Sequence, residues 1–257
     1  TLNAIKRAGD AGKTVILCTG RNLAELNAFT EIIPGLRYLD CVSGACVYDL
    51  KEKKTLYSQA LDPGIVKKLM EFALEEEAMI HVLSEHSIVQ RDQQSHMADF
   101  HMGIYQTMFD KITDKLENIY NSFCQEPFPV LKLNLYHKDE YSRARTVERI
   151  KAAGLETALA LAESTSLECS AKGIDKGVGL KKLCEHLGLP LEQTIAVGDA
   201  DNDTMALKTA GLSIAMGNAT EPIKALADVI VADCDHNGCA EAIDKYLLAE
   251  NRPQKPV

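Results

Sequence analysis

Three carboxylates and one carboxamide follow a short apolar segment of the chain. Asp199, Asp201, Asn202 and Asp203 come directly after Thr194-Ile195-Ala196-Val197, which has the composition of a buried parallel strand. Ligands of open α/β sheets bind at the carboxyl ends of the strands. Carboxylates crowded into one loop repel each other unless a cation relieves them, and Mg²⁺ prefers oxygen ligands. The loop therefore predicts a magnesium site, and the alternative is a solvated acidic turn with Asp and Asn as helix caps.

Two other loops carry groups that suit phosphate. Thr19-Gly20-Arg21 follows an apolar segment, and the Thr19 hydroxyl with the backbone N–H groups beside Gly20 can bind a phosphate oxygen. Lys176 lies between glycines at the start of a helix and can reach a phosphoryl group as a point charge. Each has a plain alternative, a simple turn for the first and a solvated surface lysine for the second. Only the order of the three loops together favours phosphate chemistry.

The elements around these loops alternate between strand and helix. Thr14 to Cys18 is apolar enough for a strand, a helix is predicted after Arg21, and another runs from Asn202 to Ala210. This alternation predicts an α/β fold with a doubly wound, Rossmann-like parallel sheet. A polar run, Asp49 to Lys54, indicates a domain boundary. We predict a core in two parts, 1–52 and 166–250, an inserted α+β cap domain, 53–165, and a disordered tail, 251–257.

The middle of the chain, 53–165, has a different pattern of predicted helices and strands from the two ends. Lys111 to Phe123 is predicted to be a helix, and Val130 to Tyr136 alternates with the period of a half-buried strand. A cap inserted at the ligand edge of a sheet can act as a lid that selects the substrate. The polar cap residues that could line such a lid are His81, His86, Arg91, His96, His101 and Lys132.

Composition and charge exclude several classes of function. The 257 residues are 46 % hydrophobic and 25 % charged, values typical of a globular protein, and the net charge is −9. That charge argues against a nucleic acid or an anionic membrane as the main partner. No apolar run approaches the ~20 residues of a membrane span, and we expect no signal peptide before the first helix. The eight cysteines form no C-x-x-C pair, so we expect reduced thiols, no zinc site and a cytoplasmic location.

The loops in this order resemble the haloacid dehalogenase-like phosphatase superfamily, and within it the Cof-type phosphatases of subclass IIB. In that subclass a large α/β cap is inserted after the third core strand. The resemblance covers the whole outer domain, whereas the cap is similar in size and texture only. The matching segments are Thr19-Gly20-Arg21, Gly44-Ala45, Lys176-Gly177, Gly198-Asp199 with Asn202-Asp203, Ala215-Met216-Gly217-Asn218-Ala219, and Gly238 with Ala240.

The resemblance implies Mg²⁺-dependent hydrolysis of small phosphorylated metabolites, such as sugar phosphates, through an aspartyl-phosphate intermediate. By position, Thr19 would hold a phosphate oxygen together with the backbone at Gly20. Lys176 would stabilise the nucleophile and the phosphoryl charge. The metal ligands would be Asp199 and Asp203, and Asn202 would orient the metal shell or touch phosphate.

Ser43 and Gly44 are also expected to bind phosphate or substrate. Ser43 departs from the family, which usually has Asn before Gly-Ala, and its single hydroxyl replaces an amide.

A larger departure concerns the family's first motif. Asp-x-Asp-Gly-Thr supplies the nucleophile and general acid on the first core strand, and no such motif follows a strand here. We therefore expect a core without its first strand, a parent protein that is a phosphatase, and 257 residues that are inactive by themselves. The alternative is a non-catalytic module that binds or senses a phosphorylated metabolite. A phosphomutase stays open, because an aspartyl-phosphate can pass to a second hydroxyl, whereas the absence of G-x-G-x-x-G after a strand disfavours a dinucleotide oxidoreductase.

Overall fold

A computed structural model describes residues 1–162 and 165–249. The predicted disordered tail, 251–257, lies outside these residues. In the described residues the helices, α1 to α11 in chain order, are Leu2–Asp10, Leu23–Thr30, Pro63–Glu75, Arg91–Gln94, Gln106–Ile112, Ile119–Gln125, Glu140–Ala152, Lys176–Leu187, Thr204–Thr209, Glu221–Leu226 and Gly238–Ala242. The strands, β1 to β13, are Ile16–Cys18, Tyr38–Cys41, Cys46–Asp49, Lys54–Ser58, Met79–Leu83, Ser87–Gln90, Thr113–Leu116, Lys132–Tyr136, Thr157–Ala162, Ser166–Ala171, Ile195–Gly198, Leu212–Ala215 and Val229–Ile230.

The chain divides into two compact units. Unit 1 comprises Thr1–Gly20, Asn27–Ser58 and the described residues from Asp175 on, and unit 2 comprises Arg21–Leu26 and Gln59–Ile174. These limits differ from the predicted ones at 52/53 and 165/166. The physical reason is strand pairing: β4 pairs with β3 inside unit 1, and β10 pairs with β8 and β9 inside unit 2.

Unit 1 contains two sheets and the helices that pack on them. The first has the order β1-β2-β3-β4, with β1 and β2 parallel and the other pairs antiparallel, and the second is the parallel sheet β11-β12-β13. Helix α8 packs on β2, β3 and β4 and also on α9, which in turn packs on β11 and β12. The predicted α/β class with parallel strands is confirmed. The β3–β4 hairpin was not predicted: the polar run Asp49 to Lys54 holds the last residue of β3, the turn 50–53 and the first residue of β4.

Unit 2 is built on a six-stranded sheet of order β7-β6-β5-β8-β10-β9. One face packs against helices α3, α6 and α7 in an apolar core that includes Leu69, Phe123 and Ile150. Strand β8 was predicted to be half-buried, but all five of its residues are buried because both faces of the sheet are covered there. The predicted helix from Lys111 to Phe123 is wrong: α5 ends at Ile112, β7 follows, and the Asn118 side chain caps α6 by accepting from the Asn121 backbone N–H at 2.8 Å.

Within the part of the chain that the structure describes, no helix is long and apolar enough to cross a membrane.

Candidate active site

Two loops of unit 1 are joined where β1 and β2 end. The Thr19 backbone N–H donates to the Asp40 carbonyl at 2.8 Å, and the Thr19 carbonyl accepts from the Ser43 N–H at 3.0 Å. Because β1 and β2 are parallel, the loops after them lie at the same edge of the sheet. The structure therefore brings two of the predicted phosphate-binding residues, Thr19 and Ser43, into direct contact.

The loop that holds Ser43 has an unusual backbone. Val42, Ser43 and Gly44 have φ angles of 53°, 57° and 93°, in the left-handed region that β-branched residues such as Val42 rarely adopt. At Gly44 an added Cβ would lie 1.9 Å from the Asp175 carbonyl oxygen, so only glycine fits. Strained backbone of this kind concentrates at ligand-binding sites, and the close approach places the loop against the start of α8.

Helix α8 presents Lys176 at its first position. The Asp175 side chain caps the helix by accepting from the Val178 backbone N–H at 3.0 Å. Lys176 is only 5 % exposed, and its Nζ lies 2.6 Å from Asp203 Oδ1. Burial alone would lower the pKa of the Lys176 ammonium, but Asp203, Cys18 and Asp40 together outweigh burial and the pKa is raised. Lys176 is therefore a buried, permanent positive charge.

The acidic loop after β11 is folded around Asp203. Asp203 Oδ2 accepts from the backbone N–H groups of Asp199, at 3.0 Å, and Ala200, at 3.3 Å. A Cβ at Gly198 would lie 2.5 Å from the Cβ of Asp203, so glycine is required for the loop to close. The Asp203 carboxylate thus connects Lys176 to the backbone that carries Asp199.

Asn218 is a further residue of this site. Its Nδ2 donates to Asp199 Oδ2 at 3.1 Å, and its Oδ1 accepts from the Cys234 N–H at 3.0 Å. Asn218 belongs to one of the segments that match the family, but no role was predicted for it. Its position just after an apolar strand, β12, was the available signal.

The predicted residues fall into two groups. Most are linked by direct contacts into one network, whereas Asn202 is an exposed residue of the 3₁₀ turn Asp201–Asp203. Gly20 follows Thr19 in the loop after β1. A cavity of about 580 Å³ in unit 1 lies elsewhere, among Lys6, Lys13 and Arg37. The linked residues are Thr19, Ser43, Gly44, Lys176, Asp199 and Asp203.

The donor set suits a magnesium ion with few protein ligands. Within the described residues, no three His, Cys, Asp or Glu side chains come together as a ligand set. Asp199 and Asp203 offer two carboxylates, with the backbone of one bound to the side chain of the other. Mg²⁺ usually keeps several waters and binds through one or two carboxylates plus substrate phosphate oxygens, so these residues fit it.

The chain has an α/β fold, and its linked loops follow strands β1, β2 and β11. Residues 1–243 match the family described as haloacid dehalogenase-like hydrolase, and the chain belongs to this family. The resemblance predicted from the sequence is confirmed.

Several curated proteins are similar to nearly the whole chain. The 5-amino-6-(5-phospho-D-ribitylamino)uracil phosphatase YcsE of Bacillus subtilis is 26 % identical over 95 % of this chain and 86 % of its own length. The HMP-PP phosphatase of Enterobacter is 26 % identical over 100 % of this chain and 91 % of its own. The chloroplastic endoribonuclease YBEY of Arabidopsis thaliana is 28 % identical over 95 % of this chain, which spans only 42 % of that protein.

Solved structures share the fold at low identity. A haloacid dehalogenase-like hydrolase from Bacteroides thetaiotaomicron has a TM-score of 0.81 and 23 % identity, and the match covers 95 % of this chain and 90 % of that one. The subclass IIB sugar phosphatase BT4131 has a TM-score of 0.78 and 20 % identity, covering 95 % and 89 %.

Proposed function

We propose that the chain belongs to a Mg²⁺-dependent phosphatase that hydrolyses small phosphorylated metabolites of the sugar-phosphate kind. The observation that carries the proposal is the buried Lys176–Asp203 ion pair, 2.6 Å long, at the end of β11. A buried ion pair contributes little net stability, because desolvation cancels much of the attraction. A cation held there beside the Thr19 and Ser43 loops is better explained by an anionic substrate.

Each residue has a distinct task in this proposal. The Thr19 hydroxyl, the backbone at Gly20 and the loop at Ser43 and Gly44 bind phosphate oxygens. The Lys176 ammonium neutralises charge on the equatorial oxygens, which is the main demand of phosphoryl transfer. Asp199 and Asp203 would hold Mg²⁺, which supplies further charge stabilisation when bound. Asn218 orients the Asp199 carboxylate, and Asn202 contacts the metal shell or phosphate.

The proposed reaction passes through an aspartyl-phosphate. No Asp-x-Asp-Gly-Thr motif follows a strand in the 257 residues, so we propose that they do not release phosphate by themselves and that the parent protein carries this motif. The absence of the motif also supports the second candidate, a module that binds a phosphorylated metabolite without turnover. Reduced thiols at all eight cysteines support a cytoplasmic site of action.

Phosphate release from p-nitrophenyl phosphate and a panel of sugar phosphates tests the proposal. We expect none from the 257 residues, and turnover that EDTA abolishes once a strand ending in Asp-x-Asp-Gly-Thr precedes them. In that restored protein Lys176→Met should lower kcat/KM by ~100-fold or more.

The matched control is Lys181→Met, at an exposed lysine of the same helix; its kcat/KM should stay within about twofold. Full turnover by the Lys176→Met protein, or in EDTA, would refute the phosphatase proposal. Tight metabolite binding without turnover in the restored protein would favour the binding module.

A further inference from the structure

The 580 Å³ cavity of unit 1 lies at the sheet edge opposite the candidate active site, and all of its lining residues belong to unit 1. Thr14, two residues before β1, and Tyr38, the first residue of β2, both line it. Thr19 and Ser43 instead follow the other ends of these parallel strands. Thr14 and Thr19 are separated by roughly 15 Å of extended chain. The cavity is therefore separate from the phosphate-binding loops.

Part of the cavity wall is apolar. Leu189, which follows the end of α8, is 42 % exposed although it is a large hydrophobic residue. Concave sites of roughly 300–1,000 Å³ with a mainly apolar wall and a few polar groups are typical of small organic ligands. Covering the apolar wall would remove it from water. The apolar lining residues are Pro34, Tyr38, Leu187 and Leu189.

Arg37 contributes a planar group that is held in place. Its Nε and Nη2 donate to Asp49 Oδ2 at 3.0 and 2.8 Å, and its guanidinium carbon lies 4.8 Å from the centre of the Tyr38 ring. The Asp49 side chain is buried, whereas the Arg37 side chain is 41 % exposed. Guanidinium groups stack on aromatic faces, so the exposed part of Arg37 suits an aromatic ring.

The charges of the cavity wall are paired except at Lys13. Lys6 Nζ lies 2.7 Å from Asp10 Oδ2, and Arg37 is paired with Asp49. Lys13 is exposed, and its side chain has no ion pair or hydrogen bond to any described residue. The wall therefore carries one positive charge in excess, although the chain as a whole has a net charge of −9.

Helices α1 and α8 both end near the cavity, and helix C-termini attract cations rather than anions. Their last turns are already closed by backbone hydrogen bonds. The Gly12 N–H donates to the Gly9 carbonyl at 2.9 Å, and the Leu189 N–H donates to the Cys184 carbonyl at 3.0 Å. Because the partial charges of a helix end arise from unbonded carbonyls, the ammonium of Lys13 determines the sign of the charge here.

The polar residues of unit 2 that were named from the sequence differ from Lys13 in this respect. Each of them has a hydrogen-bond or ion-pair partner in unit 2, so none is an unpaired group that points to a ligand. These residues are His81, His86, Arg91, His96, His101 and Lys132.

We propose that the cavity binds an aromatic monocarboxylate, with the ring against Arg37 and Leu189 and the carboxylate against the Lys13 ammonium. One carboxylate matches the one unpaired cation. A phosphate monoester, with a charge of about −1.5 to −2 at pH 7, would bring negative charge that has no partner in this wall. The site takes no part in phosphoryl transfer, so this proposal and the proposed function stand independently.

NMR titration of the 257 residues with naphthylacetate tests the proposal. We expect a Kd of about 1 mM or tighter. The backbone amide signals of Gly9, Thr14 and Gly35 should shift, whereas those of Ser43 and Asp199 should not. Naphthylacetamide, which lacks the charge, and acetate, which lacks the ring, should each bind at least about fivefold more weakly. A smaller difference for either analogue, no binding of naphthylacetate, or shifts confined to the phosphate-binding loops would overturn the proposal.

Lys13→Met should weaken the binding of naphthylacetate at least about fivefold. The binding of naphthylacetamide should change less than twofold, because only the carboxylate loses a partner. The matched control is Lys208→Met, at an exposed lysine of α9 that does not line the cavity, with naphthylacetate binding within twofold. Wild-type affinity of Lys13→Met for naphthylacetate would overturn the proposal.

Gly9→Leu should block the cavity. A Cβ at Gly9 has nothing within 4 Å, so the new side chain can occupy the space without a collision. Leucine also has a higher helix propensity than glycine, so we expect a Tm at or above that of the wild type together with loss of naphthylacetate binding. Asn3→Leu, at an exposed residue of the same helix outside the cavity, is the control and should bind like the wild type. Retained binding by Gly9→Leu would contradict the proposal, and Lys13→Met decides if Gly9→Leu does not fold.

Lys176→Met separates this site from the candidate active site. The variant should bind naphthylacetate like the wild type, because Lys176 does not line the cavity. Loss of binding would place the ligand at the phosphate-binding loops and overturn the proposal. Neither the probe nor the titration involves turnover, so absence of phosphatase activity would contradict only the proposed function.

Discussion

Asp40 is a carboxyl group almost wholly removed from water. It is 2 % exposed, Cys18 Sγ donates to its Oδ2 at 3.1 Å, and its Oδ1 has no hydrogen-bond partner within the described residues. Burial raises the pKa of Asp40 to about 7; the Cys18 hydrogen bond and the Lys176 charge lower it, and Asp175 raises it. Ionisation of Asp40 therefore destabilises the folded protein.

Asp40→Asn should change the pH dependence of stability. Because the folded-state pKa lies above the unfolded value near 3.9, the folded chain binds the extra proton between about pH 4 and pH 7. The contribution of Asp40 to the stability of the wild type is therefore highest below about pH 4, and it falls as the pH rises to about 7. Asp40→Asn should be more stable than wild type at pH 8, by up to about 4 kcal/mol, and the gap should close towards pH 4.

Urea unfolding followed by circular dichroism from pH 4 to pH 8 measures this gap. Asp10→Asn, at an exposed carboxylate paired with Lys6, is the control and should follow the wild-type profile. A constant difference between Asp40→Asn and wild type across this range would contradict the prediction.

Gly44→Ala tests the close approach between the Ser43 loop and α8. Gly173 is the matched control, because its φ of 78° is similar to the 93° of Gly44 but nothing lies within 4 Å of a Cβ there. The left-handed backbone alone should cost Gly173→Ala about 1–2 kcal/mol. Gly44→Ala should cost at least about 2 kcal/mol more, because the Cβ collides with the Asp175 carbonyl. Equal losses in urea unfolding would show that the loop moves aside freely.

At the scale of elements, capping decides where α8 and α3 begin. Asp175 caps α8, and Asp62 caps α3 by accepting from the Gly64 and Ile65 N–H groups at 2.8 and 3.1 Å. The two caps are chemically alike, but only Asp175 precedes a residue of the candidate site.

Asp175→Ala and Asp62→Ala should each lower the free energy of unfolding by about 1 kcal/mol. In the protein with the restored motif, only Asp175→Ala should also reduce kcat, because the first turn of α8 carries Lys176. Parallel unfolding and phosphate-release assays on the two variants compare these effects. A kcat loss of the same size in Asp62→Ala would mean that activity simply follows stability.

Some elements could be predicted from the sequence because their signals are local. The apolar segments before Thr19 and Asp199 are strands β1 and β11, and both loops follow strand ends as expected. Strand β7 contains the charged residues Asp114 and Lys115, which are not typical of strands. Its sequence therefore could not be distinguished from that of the predicted helix. The helix expected from Asn202 begins as a 3₁₀ turn, and α9 starts at Thr204, because the Asp203 side chain bonds back to the backbone before it.

The site could be predicted only in part, for a similar reason. Residues within one motif, such as Asp199 and Asp203, are close in sequence as well as in space. The contact between Thr19 and Ser43 and the contact between Asn218 and Asp199 depend on strand register and loop closure. No spacing along the chain encodes either.

At the scale of the whole molecule, strand β9 is an exposed sheet edge. It pairs only with β10 within the described residues, its six residues carry no charge, and Leu161 is 65 % exposed. Uncharged edge strands can pair with a second chain. The net charge of −9 opposes close approach of two copies, but salt screens it.

Self-association should therefore rise with salt, and Leu161→Lys should reduce it by placing a charge on the edge. Sedimentation velocity at low and high salt measures the average mass. Ile104→Lys, at a residue 84 % exposed and outside any strand, is the control and should associate like wild type. A mass that is independent of concentration in both salts would contradict the prediction.

The first turn of α8 has a consequence for the order of events during folding. It contains Gly177 and Gly179, each of which costs about 1 kcal/mol of helix propensity relative to alanine. A Cβ at the first would collide with Met205 of α9, and one at the second with Asp40 of β2. The turn therefore forms only against partners that are already in place. In the proposed phosphatase, a nascent or partly unfolded chain would have no ammonium at the end of β11, so only molecules whose unit 1 has folded would bind phosphate.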